Sequence, residues 1–261
     1  MAYQFITVER DDHVLTVTIN RPERRNALHP PAHVEMEEVF DRFQADDDLW
    51  VAIITGAGDK AFCAGNDLKE SALGEERFDE LNKRRKAGFA GITNRFDLYK
   101  PLIAAVNGVA MGGGFETALA CDIIVASETA RFALPEPRVG RTAGAGGVHR
   151  LPRMIPTKLA MGMLLTGRHI PAREAERYGI VNEVVPPEQV MAAARRWADE
   201  IMQCAPLSIK ATKQAQTMKH LPLQEAISTH LSHWKAMLGS EDRVEGARAF
   251  AEKRRPNWKG R

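Results

Sequence analysis

The chain has few cysteines, no long hydrophobic run and almost no net charge. Its three cysteines form no C-x-x-C pair and no metal-like cluster with the eight histidines, so neither a disulfide framework nor a metal site is expected. No stretch reaches bilayer-spanning length, and the first residues carry no signal-peptide pattern. With 36 Lys and Arg against 34 Asp and Glu, no global attraction to nucleic acid is expected. These absences predict a cytoplasmic protein that binds neither membranes nor nucleic acid.

What is present is an ordinary globular composition in alternating elements. Of the 261 residues, 44% are hydrophobic and 27% are charged, which suits one large domain or one domain with an appendage. Apolar, β-branched runs predict strands at residues 14–19, 50–55, 102–106 and 123–126. Residues 34–43 have helical spacing, and the chain after residue 187 is helical with breaks at Pro206 and Pro222. This alternation predicts an α/β fold with ligands at strand ends.

Two short segments carry the candidate chemistry. MGGGFE occupies residues 111–116, and LPE ends at residue 136. Glycine lets backbone N–H groups approach a small anion, because no Cβ intervenes. Two carboxylates can divide acid and base roles when their surroundings separate their pKa values. The pattern predicts an enzyme that stabilises an oxyanion with backbone N–H groups and moves protons with Glu116 and Glu136.

The order of these segments resembles the crotonase superfamily, the enoyl-CoA hydratases and isomerases. FCAGNDLKE at residues 62–70 is similar to the family signature A-F-x-A-G-x-D-[LI]-K-E. The other matching segments occur in the family's order at residues 20–28, 105–122, 135–151, 165–182 and 250–254. The resemblance covers essentially the whole chain. It implies a crotonase-like spiral of ββα units at residues 1–198, which holds the acyl-CoA site. It also implies a C-terminal helical trimerisation region at residues 199–261.

The resemblance also implies a mechanism. Members hold the thioester oxygen of an acyl-CoA between two backbone N–H groups, which fall here on Asn66 and Gly113. Glu116 would take a proton from the water that attacks Cβ, Glu136 would deliver a proton to Cα, and the Gly144 N–H would orient the water. Because both glutamates are present, the implied activity is that of an enoyl-CoA hydratase. Such an enzyme reversibly adds water in a syn manner to a trans-2-enoyl-CoA and gives a 3-hydroxyacyl-CoA.

The family's contacts with CoA map onto less distinctive positions. They imply CoA-binding roles for Arg25, Ala64, Asp67, Leu68, Trp234 and Lys253. Arg24 is an alternative to Arg25, and Trp234 is equally well read as a core or interface residue. Because CoA is part of the substrate, no separate cofactor is implied. The expected partners are an acyl-CoA thioester and further copies of this chain, as a homotrimer or a dimer of trimers.

Departures from the family pattern keep a second activity open. Position 66 is often Ala or Gly in the family, and here it is Asn. Arg141 either pairs with a carboxylate on the acyl chain or faces solvent. The sequence FALPE at residues 132–136 also occurs among members that resemble carnitinyl-CoA dehydratase. The alternative is therefore a dehydratase or double-bond isomerase of a functionalised acyl-CoA.

Two further classes of function compete with the enzymes. Some family members bind RNA through a lysine-lined helix, but the first helix here is acidic and would repel phosphates. The basic cluster at residues 83–86 is the remaining RNA-binding candidate. A catalytically silent scaffold is the other possibility, and it gives no reason for a glutamate pair.

Overall fold

The computed structural model describes residues 3–68 and 86–261. Its strands are β1 (Ile6–Asp11), β2 (Val14–Ile19), β3 (Val51–Gly56), β4 (Ala61–Cys63), β5 (Leu102–Val106), β6 (Val109–Met111), β7 (Ile123–Ser127), β8 (Arg131–Ala133), β9 (Ile170–Pro171) and β10 (Glu183–Val185). Its α-helices are α1 (Pro30–Ala45), α2 (Gly113–Ala120), α3 (Gly147–Met154), α4 (Thr157–Thr166), α5 (Ala172–Arg177), α6 (Val190–Met202), α7 (Pro206–Gln216), α8 (Leu223–Ser228), α9 (Ser232–Leu238) and α10 (Glu241–Ala251). Within the described ranges, none of these helices combines the length and apolar character needed to span a bilayer.

The strands form two sheets. The larger sheet has the order β1-β2-β3-β5-β7-β10, and the smaller has the order β4-β6-β8-β9. In the larger sheet β1 pairs with β2 in an antiparallel manner, and the other neighbours are parallel. In the smaller sheet β4, β6 and β8 are parallel, and β9 closes the edge in an antiparallel manner. The α/β class predicted from the alternation of elements is confirmed.

The central strands of the larger sheet are buried on both faces. In β3, Val51 and Ile53 face a small apolar cluster that includes Ala194 of α6, whereas Ala52 and Ile54 face the main core. Successive side chains of a strand point to opposite faces, so a strand covered on both sides is apolar throughout. This explains why β3 appears in the sequence as a continuous apolar run. The main core fills the space between this sheet, α1 and the smaller sheet.

The predicted elements agree with the structure at most positions. The strands predicted at 14–19 and 102–106 match β2 and β5, and the helix predicted at 34–43 lies within α1. After residue 187 the chain is helical, with Pro206 beginning α7 and Pro222 preceding α8. The proposed boundary between residues 198 and 199 falls inside α6, and the domain division stays a prediction. Three residues of the basic cluster at 83–86 lie outside the described residues.

Candidate active site

Loops that follow neighbouring strands of the smaller sheet form the candidate site. Because β4, β6 and β8 are adjacent and parallel, their carboxyl ends lie along one edge of the sheet. Asn66 follows β4, Gly113 and Glu116 follow β6, and Glu136 follows β8. The fold therefore brings the segments with the predicted oxyanion donors and the predicted acid–base residues to one edge.

The turn from β6 into α2 directs backbone N–H groups into this edge. Gly112 has φ 53° and ψ −125°, a conformation that favours glycine. Gly113 and Gly114 begin the helix, so their N–H groups have no partner within it. A Cβ on Gly113 would lie 2.5 Å from the Phe89 ring, and one on Gly114 would lie 2.0 Å from the Cys63 carbonyl oxygen. The close packing thus requires glycine, and the positive end of the helix dipole faces the site.

Asn66 lies beside this turn. The Leu28 N–H donates to the Gly65 oxygen at 2.8 Å, and the Asp67 N–H donates to the Leu28 oxygen at 2.9 Å, which fixes the chain on both sides of Asn66. Gly65 has φ 90°, and a Cβ there would lie 3.2 Å from the Gly113 nitrogen. The loop of Asn66 therefore packs directly against the start of α2. The side-chain Oδ1 of Asn66 is buried, and none of the residues that the structure describes donates a hydrogen bond to it.

Glu116 is a deeply buried carboxyl group on α2, with 3% of its surface exposed. Its Oε1 accepts a hydrogen bond of 2.8 Å from the Gly147 N–H, at the first residue of α3. Burial raises the pKa of Glu116 to about 7, and the Glu136 charge raises it as well. The N–H groups of Gly147 and Ala145 and the Arg150 cation oppose this rise. A carboxyl group with a pKa near neutrality can both hold and release a proton.

Glu136 has a different environment. It begins the short 3-10 turn Glu136–Val139 that follows β8. A Cβ on Gly112 would lie 2.8 Å from its Oε1, so the carboxyl group lies against the backbone that leads into α2. Burial raises the pKa of Glu136. Its Oε2 is buried and accepts no hydrogen bond from any described residue, which leaves one acceptor of the acid–base pair available.

The loop that follows the turn of Glu136 and leads into α3 contains the predicted water-positioning residue. The N–H of Gly144 donates to the Thr142 oxygen at 2.7 Å in a tight turn. Its role toward water stays a prediction. Arg141 is exposed, and its backbone N–H donates to the Glu136 oxygen at 2.9 Å.

Four of the predicted CoA-binding residues cluster next to Asn66. Arg25 is exposed at φ 51°, and its carbonyl oxygen accepts the N–H of Ala64 at 3.0 Å. Leu68 is also exposed. Asp67 is buried, and its carboxylate pairs with the buried Arg21 at 3.1 Å. The Asp67 side chain therefore ties this loop to the protein, and the CoA-binding roles stay predictions.

The other two predicted CoA-binding residues lie in the C-terminal helical region. Trp234 on α9 is half exposed and lines a groove of about 1040 Å³ together with Ile227 and Leu238. Lys253 follows α10 at φ 54° and is exposed. The groove is formed by the C-terminal helices, and no residue of the Glu116 site lines it.

Reasoning from the sequence gave no role to Arg150 or Phe89, although both border the site. Phe89 packs under Gly113. Arg150 acts electrostatically on Glu116. The sequence signal for Arg150 is its spacing from the glycine pair at residues 146–147, one helical turn before it. Among the described residues, no three His, Cys, Asp or Glu side chains form a group that could hold a metal ion.

Comparison with known proteins places this geometry in a family. A family model described as "Enoyl-CoA hydratase/isomerase" matches residues 9–261. The chain belongs to the enoyl-CoA hydratase/isomerase family. Among relatives, proteins named carnitinyl-CoA dehydratase from Citrobacter koseri and Escherichia coli K12 are 47% and 48% identical over 257 residues, which are 97% of this chain and of each relative.

Solved structures of this family have the same fold. An enoyl-CoA hydratase from Mycobacterium tuberculosis H37Rv aligns with a TM-score of 0.91 at 40% identity, covering 98% of this chain and 99% of the other. An enoyl-CoA hydratase from Bacillus anthracis aligns with a TM-score of 0.93 at 35% identity, covering 99% and 100%. The predicted crotonase-like fold with C-terminal helices is therefore confirmed, and the chain is an enzyme of the crotonase superfamily.

Proposed function

We propose that this protein dehydrates a functionalised 3-hydroxyacyl-CoA, and in reverse hydrates the corresponding enoyl-CoA, in the manner named for its carnitinyl-CoA dehydratase relatives. The observation that carries the proposal is a pair of glutamates beside the glycine start of α2, the buried Glu116 and the partly buried Glu136. The identity of 47–48% to proteins named carnitinyl-CoA dehydratase supports a functionalised acyl chain over a simple fatty acyl chain.

In this proposal the thioester oxygen lies between the backbone N–H groups of Asn66 and Gly113. These donors polarise the carbonyl, which lowers the energy of the enolate formed when Cα loses its proton. Preorganised donors of this kind contribute about 3 kcal/mol each to the transition state. The position of Gly113 at a helix N-terminus supports this role, because the helix dipole favours a developing negative charge.

The glutamates carry out the two proton transfers. In dehydration, ionised Glu136 removes the proton from Cα while protonated Glu116 gives its proton to the β-hydroxyl group. The C–O bond then breaks, water leaves, and a double bond forms between Cα and Cβ. The pKa of Glu116 near 7 suits a group that must hold a proton at neutral pH. In hydration the same groups exchange roles.

The remaining site residues serve binding. The Gly144 N–H would orient the water or the β-hydroxyl group. Arg25, Ala64, Asp67 and Leu68 would contact CoA from the loop of Asn66, and Trp234 and Lys253 would contact it from the C-terminal region. CoA enters as part of the substrate, so the proposal needs no separate cofactor.

A simple enoyl-CoA hydratase is the second candidate, because structural neighbours with TM-scores above 0.9 are named enoyl-CoA hydratases. A substrate panel separates the two. The absorbance of the conjugated enoyl thioester is followed with 3-hydroxybutyryl-CoA, crotonyl-CoA and a 3-hydroxybutyryl-CoA that carries a 4-trimethylammonium group. The proposal requires that kcat/KM for the trimethylammonium substrate be at least about tenfold higher than for 3-hydroxybutyryl-CoA. A preference for crotonyl-CoA would select the simple hydratase.

The proposed assembly is a homotrimer or a dimer of trimers formed through the C-terminal region. Large apolar side chains on these helices support it, because Leu223, Ile227 and Phe250 are each at least 75% exposed in the single chain and exposed apolar patches mark interaction surfaces. Light scattering coupled to size exclusion measures the mass directly, and a 29.0 kDa monomer would contradict the proposal. The cytoplasmic location stays a prediction.

A further inference from the structure

We propose that Arg150 is a positioning residue, which fixes the peptide groups around the Glu116 carboxyl group and places a positive charge beside it. The inference rests on the proposed function for its meaning in the reaction, but its geometry is independent of the substrate. Arg150 lies on α3 one turn after Gly147, whose N–H binds Glu116.

The guanidinium group of Arg150 is anchored at several points. Its Nη2 donates to the Thr93 carbonyl oxygen at 2.6 Å, and its Nη1 donates to the Ala145 carbonyl oxygen at 3.3 Å. The Phe96 ring lies 6.0 Å from its central carbon, which adds a cation–π contact. A planar fork of donors can hold two carbonyl groups in fixed directions, which a flexible ammonium group does less well.

The contact with Ala145 connects Arg150 to the acid–base chemistry. The carbonyl oxygen of Ala145 accepts from Arg150, while the N–H of Ala145 acts on the Glu116 carboxyl group. The orientation of one short loop therefore sets both interactions. The second N–H at Glu116 belongs to Gly147, the first residue of the helix that carries Arg150.

Two neighbouring glycines make room for this arrangement. A Cβ on Gly146 would lie 2.0 Å from Nη1 of Arg150, and a Cβ on Gly147 would lie 3.1 Å from Cγ of Glu116. Gly146 also has φ 110°, a conformation that strains other residues. The lack of a side chain at these two positions thus leaves room for the Arg150 guanidinium group against Gly146 and for the Glu116 side chain against Gly147.

The contact with Thr93 connects Arg150 to the oxyanion side of the site. The Thr93 hydroxyl accepts the N–H of Phe89 at 2.7 Å, and the Phe89 ring packs under Gly113. One guanidinium group therefore joins the segment below the oxyanion donor to the loop around Glu116. A loss of this group should disturb the relative placement of the two halves of the site.

The charged surroundings of Arg150 define its electrostatic effect. Glu116 is the carboxyl group that acts on Arg150 most strongly, and the buried Cys121 thiol acts on it more weakly. Glu136 acts on Glu116 with the opposite sign to Arg150. Removing the Arg150 charge should therefore raise the pKa of Glu116, because a neighbouring cation favours the ionised form of a carboxyl group.

The test is a titration of the Glu116 carboxyl carbon by ¹³C NMR in protein with labelled glutamate, assigned with Glu116→Gln. In Arg150→Gln we expect the midpoint to move to higher pH by about 1 on the pH scale. In Arg150→Lys, which keeps the charge, the midpoint should stay near that of the wild type. Arg153→Met removes an exposed charge from the same helix and should leave the midpoint unchanged. A folded Arg150→Gln with the wild-type midpoint would overturn the electrostatic role.

Kinetics test the positioning role separately. In Arg150→Lys, we expect kcat to fall about tenfold with little change in KM, because the two carbonyl groups lose their fork. An Arg150→Lys enzyme with wild-type kcat would overturn the positioning role, and this holds even where Arg150→Gln fails to fold. The NMR titration needs no turnover. A wild type that converts no acyl-CoA would therefore refute the proposed function while the role of Arg150 is still decided.

Discussion

The surroundings of the two glutamates differ in how completely the protein satisfies them. Glu116 lies on a buried helix and receives backbone N–H groups from Gly147 and Ala145. Glu136 begins a short turn, and its buried Oε2 has no hydrogen-bond partner within residues 3–68 and 86–261. Burial raises the pKa of both groups. In the described part of the chain, hydrogen bonds from other residues oppose this rise at Glu116 and not at Glu136.

This difference separates two tasks. Glu116 has its orientation fixed by the fold, because its carboxyl group is buried and its Oε1 accepts the Gly147 N–H. Glu136 keeps an oxygen for the reacting molecule, so its best interactions are made with substrate. In the proposed reaction, the carboxyl group that exchanges a proton with the water oxygen, Glu116, is therefore held rigidly. Glu136, which exchanges a proton with Cα, is free to adjust to the substrate.

The largest expected effect comes from removing either carboxyl group. In each of the variants Glu116→Gln and Glu136→Gln, kcat should fall by about 10³-fold or more, because each variant loses one general acid–base group. The double variant should be little worse than the poorer single variant, since the two residues act as a unit. Steady-state kinetics with the best substrate of the panel measure this, and the Kd of a non-reacting acyl-CoA should stay within about threefold. Full activity in either variant would end the paired mechanism.

The next largest effect is expected from a substitution that disturbs the packing of α2, the helix that carries Glu116, and does not touch the turn of Glu136. Gly114→Ala places a Cβ 2.0 Å from the Cys63 carbonyl oxygen, and relieving that clash should cost about 3 kcal/mol of unfolding free energy. The matched control is Gly162→Ala on α4, where a Cβ meets nothing within 4 Å. The control should gain about 0.5–1 kcal/mol from helix propensity. Urea unfolding curves give both values, and equal stabilities for the two variants would contradict the packing argument.

A third prediction uses pH to isolate the burial of Glu116. Because folding raises the pKa of this group from 4.5 to about 7, the folded state binds its proton more tightly than the unfolded state. Its contribution to stability is therefore full below pH 4.5 and is lost as the pH rises to about 7. A glutamine at position 116 cannot ionise, so Glu116→Gln does not lose this stability as the pH rises. Its free energy of unfolding should exceed that of the wild type by about 2–3 kcal/mol at pH 8 and by much less at pH 5.

Urea unfolding of wild type and Glu116→Gln at a series of pH values measures that gap. Glu188→Gln, which removes an exposed carboxyl group, is the control and should show no such dependence. A gap between wild type and Glu116→Gln that stays constant from pH 5 to pH 8 would show that Glu116 titrates alike in the folded and unfolded chain.

The smallest expected effect concerns Asn66. No described residue donates a hydrogen bond to its Oδ1, so truncating the side chain removes no hydrogen bond to that oxygen within the described part of the chain. Asn66→Ala keeps the backbone N–H, and kcat/KM with crotonyl-CoA should change by less than about threefold. The kcat/KM of the same variant is also measured with the trimethylammonium substrate, which tests whether the amide contacts the acyl substituent. A loss above about tenfold with that substrate alone would show that the amide contacts the acyl substituent.

Much of the architecture follows from local patterns in the sequence. The runs that became β2, β3, β5 and β7 are apolar because their strands are buried, and the ordered motifs identify the family. The strands β4, β6 and β8 have three residues each, too few for an alternating pattern to be recognised. Yet these short strands position the site, because their shared edge brings the three loops that follow them together.

Details of the site that depend on tertiary contacts could not be predicted. The burial that raises the pKa of Glu116 comes from the packing of distant segments. The hydrogen bond between Arg150 and Thr93 joins residues 57 positions apart, which no local spacing reveals. The pairing of Asp67 with Arg21 likewise spans 46 positions, and it engages the side chain of a residue whose backbone the family resemblance associates with CoA.

Two features have a consequence for ligand binding: the Oε2 of Glu136 accepts no hydrogen bond from the described residues, and the pKa of Glu116 lies near 7. An acyl-CoA that enters the pocket changes the polarity around both carboxyl groups, so the average number of protons they hold changes with it. Binding near pH 7 should then exchange protons with the solution. Calorimetry would detect this as a binding heat that depends on the ionisation enthalpy of the buffer.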